Sequence, residues 1–103
     1  MKFVLAYTTR DGGTVEDNVK GAESSQKLLA NWTPSPSGNI TEWVQRCDGG
    51  GGFAVIQSDN MQDLYRDLAT WSPWLKFEII PVLDILEATP LTEEAIHKAS
   101  SVL

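Results

Sequence analysis

The chain switches between two hydrophobic periods. Residues 2 to 9, KFVLAYTT, form a short apolar, β-branched and aromatic run that stops at Arg10-Asp11-Gly12-Gly13, which predicts a first strand closed by a glycine break. From Thr14 onward Val15, Val19, Ala22, Leu29 and Trp32 follow helical spacing. Thr14 suits an N-cap, and Glu16 and Asp17 suit the positive end of the helix dipole. The helix must stop near Trp32, because residues 33–39, TPSPSGN, hold two prolines and a glycine.

Residues 40–47, ITEWVQRC, then alternate. They predict a second strand with Ile40, Glu42, Val44 and Arg46 on one face and Thr41, Trp43, Gln45 and Cys47 on the other. After four glycines, Gly49 to Gly52, the run Phe53 to Ser58 predicts a third strand. Asp59 with Gln62 resembles a capping box, and Met61, Leu64, Tyr65 and Leu68 mark one face of a second helix, which ends at Trp71-Ser72-Pro73-Trp74. Lys76 to Leu86 reads as a long fourth strand, with Pro81 calling for a sheet edge or a bulge. Thr89-Pro90 opens a short closing helix with proline at its first position.

Strand, helix, strand, strand, helix, strand is the order of an α+β, ferredoxin-like βαββαβ fold. Its antiparallel sheet carries both helices on one face. The fold is expected over residues 1–87, with a C-terminal helical tail over 88–103 and the fourth strand at an edge. Several strands are apolar on both sides: Phe3, Leu5 and Tyr7 oppose Val4 and Ala6, and Phe77 and Ile79 oppose Ile80 and Val82. The second apolar face needs a cover. A second copy of the same sheet supplies one by two-fold symmetry, which predicts a homodimer; the alternative folds the closing helix back over the open face of a monomer.

The glycine run is not a phosphate cradle, since a strand and not a helix follows it and no lysine is near. Nor is it a linker, because neither flank is long enough to be a domain. It reads as a hairpin turn in which glycines permit positive φ and a bulge.

Composition narrows the function classes. A chain of 103 residues holds one domain, and its formal net charge of -6 opposes docking on nucleic acid or an anionic membrane surface. The single cysteine, Cys47, excludes an internal disulfide and a cysteine-rich zinc site. No run approaches the roughly 20 apolar residues of a membrane span, and the apolar start is too short for a signal-peptide core, so the expected location is the cytoplasm.

Three stretches, MKFVLAYTTR at the start, GGFAVIQSDN after the hairpin and WSPWLKFEIIPVLD at the fourth strand, carry a resemblance. Across residues 1 to 87 the chain resembles small bacterial proteins of an uncharacterised domain-of-unknown-function family in the dimeric α/β-barrel superfamily. That resemblance implies the fold and a dimer whose two sheets face each other across a barrel. It implies no activity: related barrels include cofactor-independent monooxygenases, muconolactone isomerases and haem-dependent enzymes, and none of their catalytic motifs matches here.

The candidate chemistry is sparse. His97 is the only histidine and falls in the polar closing helix, which disfavours a haem or metal site; no cofactor is expected. Trp32, Trp43, Trp71 and Trp74 are many for this length. Trp71 and Trp74, where the second helix hands over to the fourth strand, either line the mouth of a cleft or plug the end of the core. Tyr7, Glu42, Arg46, Cys47 and Asp84 are the polar groups on strands. Arg46 could hold a carboxylate or enolate and Asp84 could take a proton, although ion pairs account for both with less. The ligand-pocket candidates are therefore Tyr7, Trp43, Arg46, Trp71, Trp74 and Asp84. The reading that follows is a non-catalytic homodimer that accepts a small apolar or aromatic ligand in its barrel. The alternative is a cofactor-independent monooxygenase or isomerase acting on an aromatic or polyketide-like substrate.

Overall fold

A computed structural model describes all 103 residues. The elements run β1 (Lys2–Thr9), α1 (Val15–Asn31), β2 (Asn39–Gln45), β3 (Gly51–Gln57), α2 (Met61–Trp71), β4 (Leu75–Val82) and α3 (Ile85–Ser100). The four strands form one antiparallel sheet in the order β2-β3-β1-β4, so each βαβ unit straddles a strand of the other. This is the ferredoxin-like arrangement, extended by a C-terminal helix. β4 lies at an edge, where Pro81, opposite Phe3, leaves no central ladder bond unmade.

β1 threads the middle of the sheet and alternates cleanly. Phe3, Leu5 and Tyr7 are buried toward the helices, while Val4 and Ala6 turn to the other face. The core joins Phe3 and Leu5 to Ala54 and Ile56 of β3 and Leu64 of α2, with Ile40 and Leu68 packed at its margin. The open face carries Val4, Ala6, Val55 and Val82 half-buried, and Val44, Phe53 and Ile80 exposed.

Strand β2 departs from simple alternation. Its pairing with β3 shifts register between Ile40 and Glu42, and the Thr41 hydroxyl donates to the Val55 carbonyl there. A bulge adds one residue and reverses the facing of everything beyond it. Ile40 therefore shares the helix face with Trp43 and Gln45, whereas Glu42 and Val44 face the open side. The expected set of Ile40, Glu42 and Val44 on one face is corrected accordingly.

The helices are capped as short polar side chains allow. Thr14 and Asp17 form a reciprocal capping box on α1. On α2 the cap is Asn60, one residue after the expected Asp59; its side chain accepts from the amides of Gln62 and Asp63. The inward faces also differ from the hydrophobic spacing. On α1 the half-buried positions are Gly21, Ser25 and Leu28, followed by Trp32, and Val15, Val19 and Leu29 are exposed. On α2 Leu64 and Trp71 are buried and Leu68 half-buried, while Met61 and Tyr65 point to solvent.

The fourth strand is shorter and the last helix longer than the sequence predicts. β4 ends at Val82 and α3 starts at Ile85, which places Pro90 at the sixth helical position rather than the first. Pro90 leaves the Leu86 carbonyl without its intrahelical donor. α3 buries none of its residues and does not fold back over the open face.

Candidate functional site

The glycine run and Tyr7 build one end of the sheet together. Gly49 takes φ +77° in the β2–β3 turn, where the Asp48 carboxylate accepts from the Gly50 amide and pairs with Arg46. Gly51 and Gly52 belong to β3 and are buried. Gly52 lies directly under the Tyr7 ring: a Cβ there would sit 2.6 Å from Tyr7 Cζ. The Tyr7 hydroxyl consequently reaches β2, donating to the Val44 carbonyl at 3.0 Å with Gln45 Oε1 at 3.2 Å, and it accepts from the Trp43 indole N–H at 3.1 Å.

Trp43 in turn belongs to an aromatic cluster. Trp32, Trp43 and Trp71 meet edge to face, with ring centroids 5.6 to 6.1 Å apart, and Trp74 meets Trp71 at 6.4 Å. Such T-shaped contacts set the positive edge of one ring against the negative face of the next. One ring comes from the end of α1, one from β2 and one from the end of α2, so the cluster ties both helices to the sheet. Trp71 is its buried hub, and its Nε1 has no hydrogen-bond partner.

Two spaces adjoin this cluster. A narrow apolar cavity of about 40 Å³ lies between the sheet and the helices, bounded by Leu5, Ile40, Ile56, Leu68 and Trp71 among others. Beside it a larger cleft of about 490 Å³ opens under α1. Tyr7, Trp43, Trp71 and Leu75 border both spaces. Thr9, Val44 and Gln45 complete the sheet side of the cleft, and Ser25, Gln26 and Leu29 form its roof on α1. The small inward Ser25 leaves room beneath α1, and every residue of the lining is uncharged. Its volume falls within the range of roughly 300–1,000 Å³ usual for small-molecule sites.

A polar clamp holds the proline-rich segment beside the cluster. On α2 Asp67 accepts from the Ser35 amide and hydroxyl, and Asp63 accepts from the Ser37 hydroxyl at 2.7 Å and from Arg66 at 2.7 Å. The Ser37 hydroxyl bond, helped by Arg66, holds the Asp63 carboxyl below its ordinary value. Neither aspartate stands out in sequence. Their spacing of four residues on one helix, facing two serines of the α1–β2 loop, is the only signal.

The structure unites three of the six pocket candidates and part of a fourth. Tyr7, Trp43 and Trp71 line the cleft, and Trp74 touches it through Trp71. Arg46 sits beyond it in the hairpin, paired with Asp48. Asp84 lies at the other end of the sheet, where Lys2 Nζ donates to it at 2.5 Å and holds its carboxyl low. Lys2 is five residues from Tyr7 along β1, about 17 Å in an extended strand, so Tyr7, Arg46 and Asp84 do not converge. All four tryptophans and Tyr7 are on the helix side of the sheet or at its margin. Residues 1–96 match the family model described as a domain of unknown function, DUF3303. The chain belongs to the DUF3303 family. A search of curated protein sequences returned no match.

Other chemistry is thin across this DUF3303 chain. No group of three or more histidine, cysteine, aspartate or glutamate side chains is placed to hold a metal ion. No helix is long and apolar enough to cross a membrane. His97 and Cys47 are both exposed, and neither lines the cleft.

Proposed function

We propose that the protein is a homodimer, paired through its open sheet faces in the manner of the dimeric α/β barrels, that binds a small neutral aromatic molecule in the cleft under α1. The observation that carries the ligand reading is the cleft itself: about 490 Å³, walled by Tyr7, Trp43 and Trp71 and free of charge. Indole and phenol rings offer flat apolar walls, and Thr9, Ser25, Gln26 and Gln45 offer neutral hydrogen-bonding groups to orient a guest. The lining has no carboxylate, imidazole, amine or thiol to move a proton or attack a substrate, which favours binding over the monooxygenase or isomerase reading.

The pairing reading rests on the open face. Val44, Phe53 and Ile80 are 49%, 48% and 41% exposed there, next to Val4, Ala6, Val55 and Val82. Only 10 of 103 residues are buried in the single chain, a thin core that a second sheet would thicken. Residues 1–87 form the pairing and binding domain in this reading, and the residues beyond extend from it.

Sedimentation gives the mass directly: two chains are expected for the wild type, and Phe53→Glu should shift the equilibrium toward one. A Phe53→Glu protein of unchanged mass removes the sheet-face pair. Ligand uptake is tested by titrating uncharged bicyclic and tricyclic aromatics while following tryptophan fluorescence, with Ser25→Trp as the blocked control. Equal quenching in both proteins would reject the cleft as the site. Conversion of a bound compound in air without added cofactor would replace the binding reading with the enzymatic one.

A further inference from the structure

The third helix carries an apolar face that its own chain leaves largely uncovered. With α3 extended, the molecule measures 61 Å along its long axis and has a radius of gyration of 18.1 Å, against about 13 Å for a compact chain of this length. On a helical wheel Ala88, Leu91, Thr92, Ala95, Ile96 and Ala99 fall within one arc of roughly 140°. These residues line a common shallow groove that continues into Leu83, just after β4. Leu83, Leu91 and Ile96 are each more than half exposed.

The charges beside that face are distributed along the helix axis. Glu87, Glu93 and Glu94 come first, and His97 and Lys98 occupy the last turn. A parallel partner helix would set Glu87 against Glu87 and Lys98 against Lys98. An antiparallel copy brings the Lys98 end of one helix over the Glu87 end of the other and opposes the two helix dipoles.

We propose that α3 is a docking surface for a second copy of this chain, whose own α3 packs against it antiparallel about a two-fold axis passing near Glu93 and Glu94. In that register Ala88 meets the partner's Ala99, Leu91 meets the partner's Ile96 and Thr92 meets the partner's Ala95. Each large side chain thus lies beside a large one and each small one beside a small one, which lets the two helices approach closely. Glu87 and Lys98 lie on one flank of the seam, so each Glu87 comes beside the partner's Lys98 and the pair recurs twice by symmetry. Two four-turn helices bury less than the roughly 1,200 Å² of a stable interface. The contact is therefore secondary to a larger one, and it uses a surface separate from both the open sheet face and the cleft.

Cysteine cross-linking tests it in the full chain, with the exposed natural thiol removed by Cys47→Ser. Positions 88 and 99 of one helix are about 16 Å apart, beyond the roughly 7 Å reach of a disulfide, so any bridge between them joins two chains. The Ala88→Cys/Ala99→Cys protein should form a covalent dimer on mild oxidation, whereas Ala88→Cys and Ala99→Cys alone should remain single chains. Absence of the dimer in the double variant overturns the contact, and dimers of equal yield from the single variants overturn its antiparallel sense. Adding Lys98→Glu should slow cross-linking several-fold at low ionic strength, and Glu87→Lys in the same chain should restore the rate. An unchanged rate in Lys98→Glu rejects the charge pairing. The sheet-face pair is read separately by mass: the helix contact rests on that pair, and a double-cysteine protein that still sediments as two chains without cross-linking rejects the helix contact alone.

Discussion

The ring of Tyr7 occupies the space above Gly52 that any side chain would need. A Cβ at Gly52 would come within 2.6 Å of Tyr7 Cζ and closer still to the phenol oxygen and the Val44 carbonyl. Gly52→Ala must therefore displace the ring or the β2 backbone, with an expected loss of roughly 1–3 kcal/mol of the kind seen on overpacking a core. Gly12→Ala is the control, because a Cβ there meets nothing within 4 Å. Urea unfolding of the two variants should differ accordingly, and equal midpoints would show that β3 shifts freely at Gly52.

The Tyr7 hydroxyl accepts the Trp43 indole N–H as well as donating to β2. Tyr7→Phe keeps the ring over Gly52 but deprives Trp43 of its acceptor, at a cost of about 1 kcal/mol. The variant should unfold at lower denaturant and show a changed tryptophan emission. Unaltered stability and emission would indicate that water replaces the hydroxyl without loss.

Trp71 is the hub of four indoles, and its truncation removes contacts to Trp32, Trp43 and Trp74 at once. Trp71→Ala should lose roughly 3–5 kcal/mol and collapse the near-ultraviolet circular dichroism. Trp74→Ala, at the margin of the cluster, should have a much smaller effect on both. A reversed order would place the hub elsewhere.

The roof of the cleft is held open by a small residue. Ser25→Leu would bury an apolar side chain against Trp43 and Trp71, raising the melting temperature slightly while abolishing uptake of an aromatic ligand. A variant that is destabilised would mean that α1 already lies closer to the sheet than the cleft implies.

Acid should loosen the proline-rich segment. The folded-state pKa of Asp63 lies below its ordinary value of 3.8 because Ser37 and Arg66 bond to the ionised form. Its stabilising contribution is complete above that value and is lost as pH falls through the lower folded-state value, since the unfolded chain then binds the proton more readily. Ser37→Ala should flatten the decline in melting temperature below about pH 4, where carboxylates with ordinary values take up protons. A decline of unchanged slope would mean that other carboxylates govern acid unfolding.

Much of the fold is legible in the residue pattern because strand and helix periods differ. The alternation of Phe3, Leu5 and Tyr7, the break at Gly12-Gly13, the Thr14 cap and the edge position of Pro81 all follow from local rules. The bulge at Thr41 does not, because it is a property of the pairing between β2 and β3 and not of β2 alone. The same holds for α1. Its apolar side chains Val15, Val19 and Leu29 suggest one face, but the geometry of the sheet turns Gly21, Ser25 and Leu28 inward.

The candidate site divides along that line. Aromatic content marked the tryptophans and an expected strand position marked Tyr7, Arg46 and Asp84, although only Tyr7 lies on a strand while Arg46 follows β2 and Asp84 caps α3. Convergence is a property of pairs distant in sequence: residues 7, 43 and 71 meet, whereas Lys2 draws Asp84 to the far end of the sheet and Asp48 retains Arg46 in the hairpin. The sequence alone determined the ferredoxin-like order of elements and the surplus of apolar surface, because hydrophobic period and turn chemistry are local. Only the tertiary structure decided which indoles touch, why Gly52 has no side chain and where a cleft opens, because those depend on the distance between elements that the chain itself does not encode locally.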